Sequence, residues 1–121
     1  MYVKLSKDRL VVKQKGSIYF LPLSQILFIE SLNNKILFHT IQKKLYANFS
    51  LKKLEDILPN NFIRTHRSFI VNTNKISEIN QLNYRSYEIK FCFSTDSALL
   101  YSKEKKETDD IINQLNIPIE S

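Results

Sequence analysis

Phe62 to Ile79 reads FIRTHRSFIVNTNKISEI, and how this stretch folds decides how the rest of the chain is read. A polar cluster (Arg64, Thr65, His66, Arg67, Ser68) gives way to an apolar run (Phe69, Ile70, Val71), then to Asn72, Thr73, Asn74 and Lys75, before Ile76 and Ile79 resume. The run is too short and too β-branched for a helix, so the stretch predicts two strands joined by a polar elbow. Alternate strand residues face opposite sides, so either Phe69 with Val71 or Ile70 is expected to face the core. An arginine and a histidine between two anchoring strands are held out from a rigid scaffold, where binding residues concentrate.

The same strand-length periodicity runs outward in both directions. Before the stretch, residues 9 to 14 and 17 to 21 flank Lys15-Gly16, a hairpin whose glycine can take positive φ. Pro22 to Gln25 breaks the pattern. Ile26 to Glu30 and Lys35 to Ile41 then bracket Asn33-Asn34, a pair suited to left-handed turn conformations, so a second hairpin is predicted with Asn33, Asn34 and Lys35 at its tip. Lys44 to Asn48 completes a meander. Ser50 can cap a short helix of about two turns, with Leu51, Leu54, Ile57 and Leu58 on one face and Pro59 as its stop. After the stretch, Leu82 to Ser86 reads as a polar turn, and Tyr87 to Phe93 with Ala98 to Ser102 as a third hairpin around Ser94-Thr95-Asp96-Ser97. Ile111, Ile112 and Leu115 predict a C-terminal helix between Lys103 and Leu115, ended by Pro118. The expected fold is mostly β: small antiparallel sheets of hairpins and a meander, with one or two short helices.

Composition bounds the function. A chain of 121 residues with 43% hydrophobic and 25% charged residues is expected to be a single folded domain, residues 1–121. Eighteen Lys and Arg against twelve Asp and Glu leave a net charge of +6, which suits a polyanionic partner. Residues 31 to 54 and 60 to 90 are predominantly basic, so one side is expected to be positive. The single Cys92, in an apolar run, is expected to be a buried free thiol in a reducing compartment. No apolar run approaches the roughly 18 residues of a membrane span, and no signal-peptide core is visible, so a cytoplasmic protein with no membrane association is expected.

Catalysis finds little to work with. Two histidines (His39, His66) and one cysteine, without metal-ligand spacing, predict no metal; one glycine rules out the phosphate-binding glycine loops, so no cofactor and no enzyme activity are expected. Ser68, His66 and Asp96 lack the nucleophile elbow of a triad. By contrast, Arg, Lys and Asn at hairpin tips are the side chains that make paired hydrogen bonds to guanine and adenine edges. The phenylalanines at 20, 28, 38, 49, 69, 91 and 93 mostly occupy expected core positions, which favours duplex DNA over the base-stacking recognition of single-stranded RNA.

The motif Phe62-x-Arg64-x-His66-Arg67-Ser68-Phe69-Ile70-Val71-Asn72, followed by Ile76 and Ile79, resembles the signature of the LytTR-type DNA-binding domain of bacterial transcription regulators. Ile26 to Glu30, Leu51-x-x-Leu54-Glu55 and Ala98 to Lys103 resemble further parts of that family, so the likeness covers about residues 9 to 115. It implies an all-β, LytTR-like fold whose loops enter the major groove and bend the DNA, in a response regulator output domain or a free-standing regulator. By position it implies base contacts from Asn33, Asn34, Lys35, His66, Arg67 and Lys103, and phosphate contacts from Ser68, Asn83, Arg85 and Lys106. His66 could instead orient the elbow internally. Implied partners are double-stranded DNA at tandem sites, a second copy of the chain on DNA, and a regulatory protein. The family's usual arginine is Lys103 here, which lacks the planar fork that reads guanine bidentately, and the usual aromatic residue after it is missing. Two other functions fit the residues: a protein-interaction module that keeps the fold, and an RNA-binding module.

Overall fold

Among the described residues, eleven strands and two helices are built from runs that are each too short to bury themselves, so the fold stacks them in three layers. The computed structural model describes residues 1–103 and 105–115, the Lys105 side chain aside. Strands β1 (Tyr2–Ser6), β2 (Arg9–Gln14) and β3 (Ser17–Pro22) form an antiparallel meander. Next come β4 (Ile26–Leu32), β5 (Lys35–Thr40), β6 (Lys44–Ala47), helix α1 (Leu51–Glu55), β7 (Phe62–His66) and β8 (Phe69–Asn72). Their strands make a five-stranded antiparallel sheet in the order β6-β5-β4-β8-β7. A third sheet, β9 (Ile76–Asn83), β10 (Ser86–Phe91) and β11 (Ser97–Tyr101), is followed by helix α2 (Lys105–Leu115).

The five-stranded sheet is covered on both faces. Leu10, Val12 and Leu21 of the first sheet meet Ile29, Phe38 and Ile70 of the central one, with Leu51 and Leu54 of α1 closing the layer. On the other face Phe28 and Val71 meet Ile89, Phe91 and Leu100, capped by Leu115. A register shift between Ile26 and Phe28 explains how adjacent Leu27 and Phe28 both serve the second core while Ile26 and Ile29 serve the first. Burying one such side chain contributes about 1.5–3 kcal/mol, and a strand buried on both faces gathers that gain at every residue.

The expected turns form where the chemistry predicted. Asn33 and Asn34 sit at φ 51° and 66°, the left-handed pair that a tight hairpin needs, and Gly16 lies at φ 78°. The Ser50 side chain accepts from the Lys53 amide at 3.2 Å, capping α1.

Several expectations need correcting. β1 is a strand beyond those expected: Tyr2 to Ser6 alternates without a special turn residue after it, and Lys7, at φ 60°, supplies the bend. The central stretch holds three strands rather than two, since a 3₁₀ turn at Thr73–Lys75 leads into β9, which continues to Asn83 and leaves only Tyr84 and Arg85 for the turn. Helix α1 is shorter than two turns, and α2 starts at Lys105 rather than Lys103. Pro118 lies outside the described residues. Strand β10 stops at Phe91, because Phe93 adopts φ 65° and turns outward with 76% of its surface exposed. Cys92 is consequently half-exposed rather than buried. Phe20 is also exposed, under the Arg9 guanidinium at 4.5 Å from its ring centre. The choice between Phe69 and Ile70 dissolves: Ile70 fills the first core, Val71 the second, and Phe69 packs half-buried on the second.

Candidate nucleic-acid interface

Strand pairing gathers four loops at one end of the molecule. Glu30 pairs with Phe69, and the Ser31 amide donates to the Ser68 carbonyl at 2.8 Å, so the Asn33-Asn34 tip projects just past the elbow. Tyr101 pairs with Ser86, and the Arg85 Nη1 donates to the Lys103 carbonyl at 2.7 Å, tying the β9–β10 turn to the end of β11. The Thr65 hydroxyl donates to the Leu99 carbonyl at 2.9 Å, which docks β7 against β11 and brings the elbow to the same place.

The elbow is held from inside. Arg64 Nε donates to the His66 carbonyl at 2.8 Å, its Nη2 donates to the Arg67 carbonyl, and its Nη1 meets Glu55 Oε1 at 2.5 Å. One planar guanidinium thus joins α1 to both residues of the turn, a geometry that lysine cannot reproduce. The Ser68 amide donates to His66 Nδ1 at 3.0 Å, which puts the imidazole proton on Nε2. The ring also leans edge-on against Phe69. Burial first, then the Arg67 and Arg64 charges, lower the His66 pKa from its ordinary 6.5, so the ring is neutral at pH 7. His66 therefore serves the elbow through Nδ1 and keeps Nε2–H as a donor. The Arg67 side chain is exposed at the apex.

A groove of about 430 Å³ opens between the elbow and the end of β11, lined by His66, Arg67, Tyr101, Ser102 and Lys103. Its neighbour, lined by Arg64, His66 and Arg67, is walled on its far side by Glu107 and Asp110 of α2. Exposed Lys106 lies in the first turn of α2. At the β9–β10 turn, Asn83 Oδ1 accepts from the Arg85 and Ser86 amides at 2.9 and 3.1 Å, and Arg85 Nε donates to the Tyr84 hydroxyl. Part of the hydrogen-bonding capacity of Asn83 and Arg85 thus holds loops together. Asn33, Asn34 and Lys35 are exposed at the tip.

Sequence reasoning passed over Arg64 and Tyr101. Arg64 stood inside the polar cluster, but its three partners are visible only once α1 and the turn are in place. Tyr101 lies within the expected last strand, and in the structure it is 40% exposed and flanks His66. Asp96 is far from Ser68 and His66: it sits beyond the other end of the sheet beside Lys44, at 2.9 Å, and His39.

Comparison with known proteins points the same way. The family model of the LytTr DNA-binding domain matches residues 16–108. The chain is similar to the transcriptional regulatory protein NatR of Bacillus subtilis, 25% identical over 97 residues that cover 79% of this chain. It spans 42% of that relative's length. The fold is shared with a solved LytTr DNA-binding domain from Bacillus cereus, at a TM-score of 0.75 and 22% identity, over 91% of this chain and 97% of the other.

Proposed function

The chain belongs to the LytTr DNA-binding domain family, and from that premise we propose that it regulates transcription by reading double-stranded DNA with its loop end. The observation that carries this reading is the convergence of the Asn33-Asn34 tip, the elbow and the end of β11 on one end of the molecule. A major groove about 12 Å wide admits such hairpin tips. Arg67, exposed on an internally clamped turn, is the reading residue, presenting two donors to a guanine edge. Lys103 adds a point charge on the far side of the shared groove. His66 offers Nε2–H to a base or phosphate acceptor while its other nitrogen holds the turn.

Asn33, Asn34 and Lys35 meet bases at the tip; Ser68, Asn83, Arg85 and Lys106 meet phosphates around it. Glu107 and Asp110 bound the footprint, because a carboxylate facing the backbone is repelled. The proposed DNA-bound form is two copies of the chain on tandem sites, in the cytoplasm. Among the described residues no helix is long and apolar enough to cross a membrane.

Selection of bound sequences from random duplex, followed by titration of the selected duplex, single-stranded DNA and RNA, tests the reading. Arg67→Ala is expected to lose about 1–3 kcal/mol on the selected site and to flatten preference among sites. Lys106→Ala should weaken all duplexes alike and lower the slope of log affinity against log salt by about one. Equal binding of all three nucleic acids, or a sequence preference set by Lys106 and not by Arg67, would overturn it.

A further inference from the structure

Beside the reading tip, on the side away from the elbow, lies a smaller groove in which Lys35, at the tip side, is the one lining residue among the expected contacts. It holds about 110 Å³ and is lined by Gln14, Lys15, Lys35, Tyr46, Ala47 and Asn48. Gln14 Nε2 donates to the Tyr46 carbonyl at 2.7 Å, which fastens the β2–β3 hairpin to the edge strand β6. Lys15 and Gly16 form the turn, at φ 49° and 78°, and the Lys15 side chain is exposed. Lys35 follows directly on the Asn33-Asn34 tip and begins β5, whose next residue Ile36 pairs with Ala47. The groove is therefore continuous with the tip, one strand further out. No acidic residue lines it, and among the described residues Lys13, Lys15 and Lys35 have no ion-pair partner.

From this placement we propose that the β2–β3 turn is a separate phosphate-binding element, in which Lys15 grips the duplex backbone on the outer rim of the groove that the tip, with Lys35, enters. The inference rests on the DNA-reading function proposed above. A tip centred in a major groove about 12 Å wide has a backbone roughly 6 Å to either side. Lys15, on the turn that Gln14 fastens to β6, flanks the tip on that side. The volume suits a phosphate group and is too small for a drug-sized ligand.

The test uses the whole chain and a selected duplex carrying about one extra helical turn on each side, together with versions trimmed at one end or the other. Lys15→Asn removes the charge and keeps a residue that tolerates the left-handed turn; Lys15→Arg keeps the charge. On the long duplex Lys15→Asn is expected to weaken binding several-fold and lower the salt slope by about 0.9, with site preference unchanged and Lys15→Arg close to the parent. Trimming one particular end should bring the parent down to the variant and abolish their difference. Matching affinities on every length and salt, or a loss equally large on both trimmed duplexes, would overturn the proposal while leaving sequence-specific binding by the parent intact. Failure of the parent itself to prefer duplex would instead sink the underlying function, and the proposal with it.

Discussion

Arg64 and His66 show how much of the elbow is internal construction. The guanidinium of Arg64 meets two turn carbonyls and Glu55, so the elbow is positioned before any DNA arrives, and little of the ordering cost is left to binding. His66 adds a titratable member to that frame. Its lowered pKa means that, as pH falls below the ordinary 6.5, the unfolded chain takes up a proton that the folded chain resists. Stability present at neutral pH is therefore lost as pH falls through that value toward the lowered one. His66→Asn should keep the turn, because Asn Oδ1 can accept the amide two residues on, and should remove the titration. Urea midpoints from about pH 7.5 to about pH 5 are expected to fall more for the parent than for His66→Asn. Parallel pH profiles would show that the ring is not held neutral in the fold.

Strand β8 explains why the elbow stays rigid. It lies inside the central sheet between β4 and β7, and its faces feed two different cores through Ile70 and Val71. Ile70→Ala should cost about 2–5 kcal/mol, since a fully buried side chain leaves a cavity that its neighbours cannot close. Phe69→Ala should cost less, although the side chain removed is larger, because Phe69 is only half-buried. Chemical denaturation of the two variants decides: a larger loss for Phe69 would mean that the second core depends on this ring more than its exposure indicates. The opposite lesson comes from β10, where the positive φ at Phe93 ends the strand and sends an aromatic side chain into solvent.

Three layers give the molecule two cores and one sheet shared by both. Local opening is easiest where one face is bare, so the amides of β4, β5 and β8 are expected to exchange most slowly with deuterium, and those of the outer edge strands β1 and β3 faster. Slowest exchange in the N-terminal sheet would contradict a central scaffold. The same layering accounts for the division of charge: basic loops collect at one end of the shared sheet, while the Glu107 and Asp110 carboxylates of α2 stand at the side of that end and limit it.

Short-range chemistry was legible in the residues alone. Asn33-Asn34 and Gly16 announced their hairpins because few side chains tolerate positive φ, Ser50 announced α1 because its hydroxyl satisfies a nearby amide, and the run from Phe69 to Val71 announced a strand through its length and branching. The polar elbow at His66 and Arg67 followed from the same local pattern. What required the folded chain were the contacts between residues distant in sequence. The pairing of β4 with β8, the docking of Thr65 on Leu99 across 34 residues, and the tie from Gln14 to Tyr46 across 32 leave no trace in local propensity. Each forms because apolar faces on separate hairpins can leave water only against one another, and that packing, rather than any single stretch, brings the loops to one end.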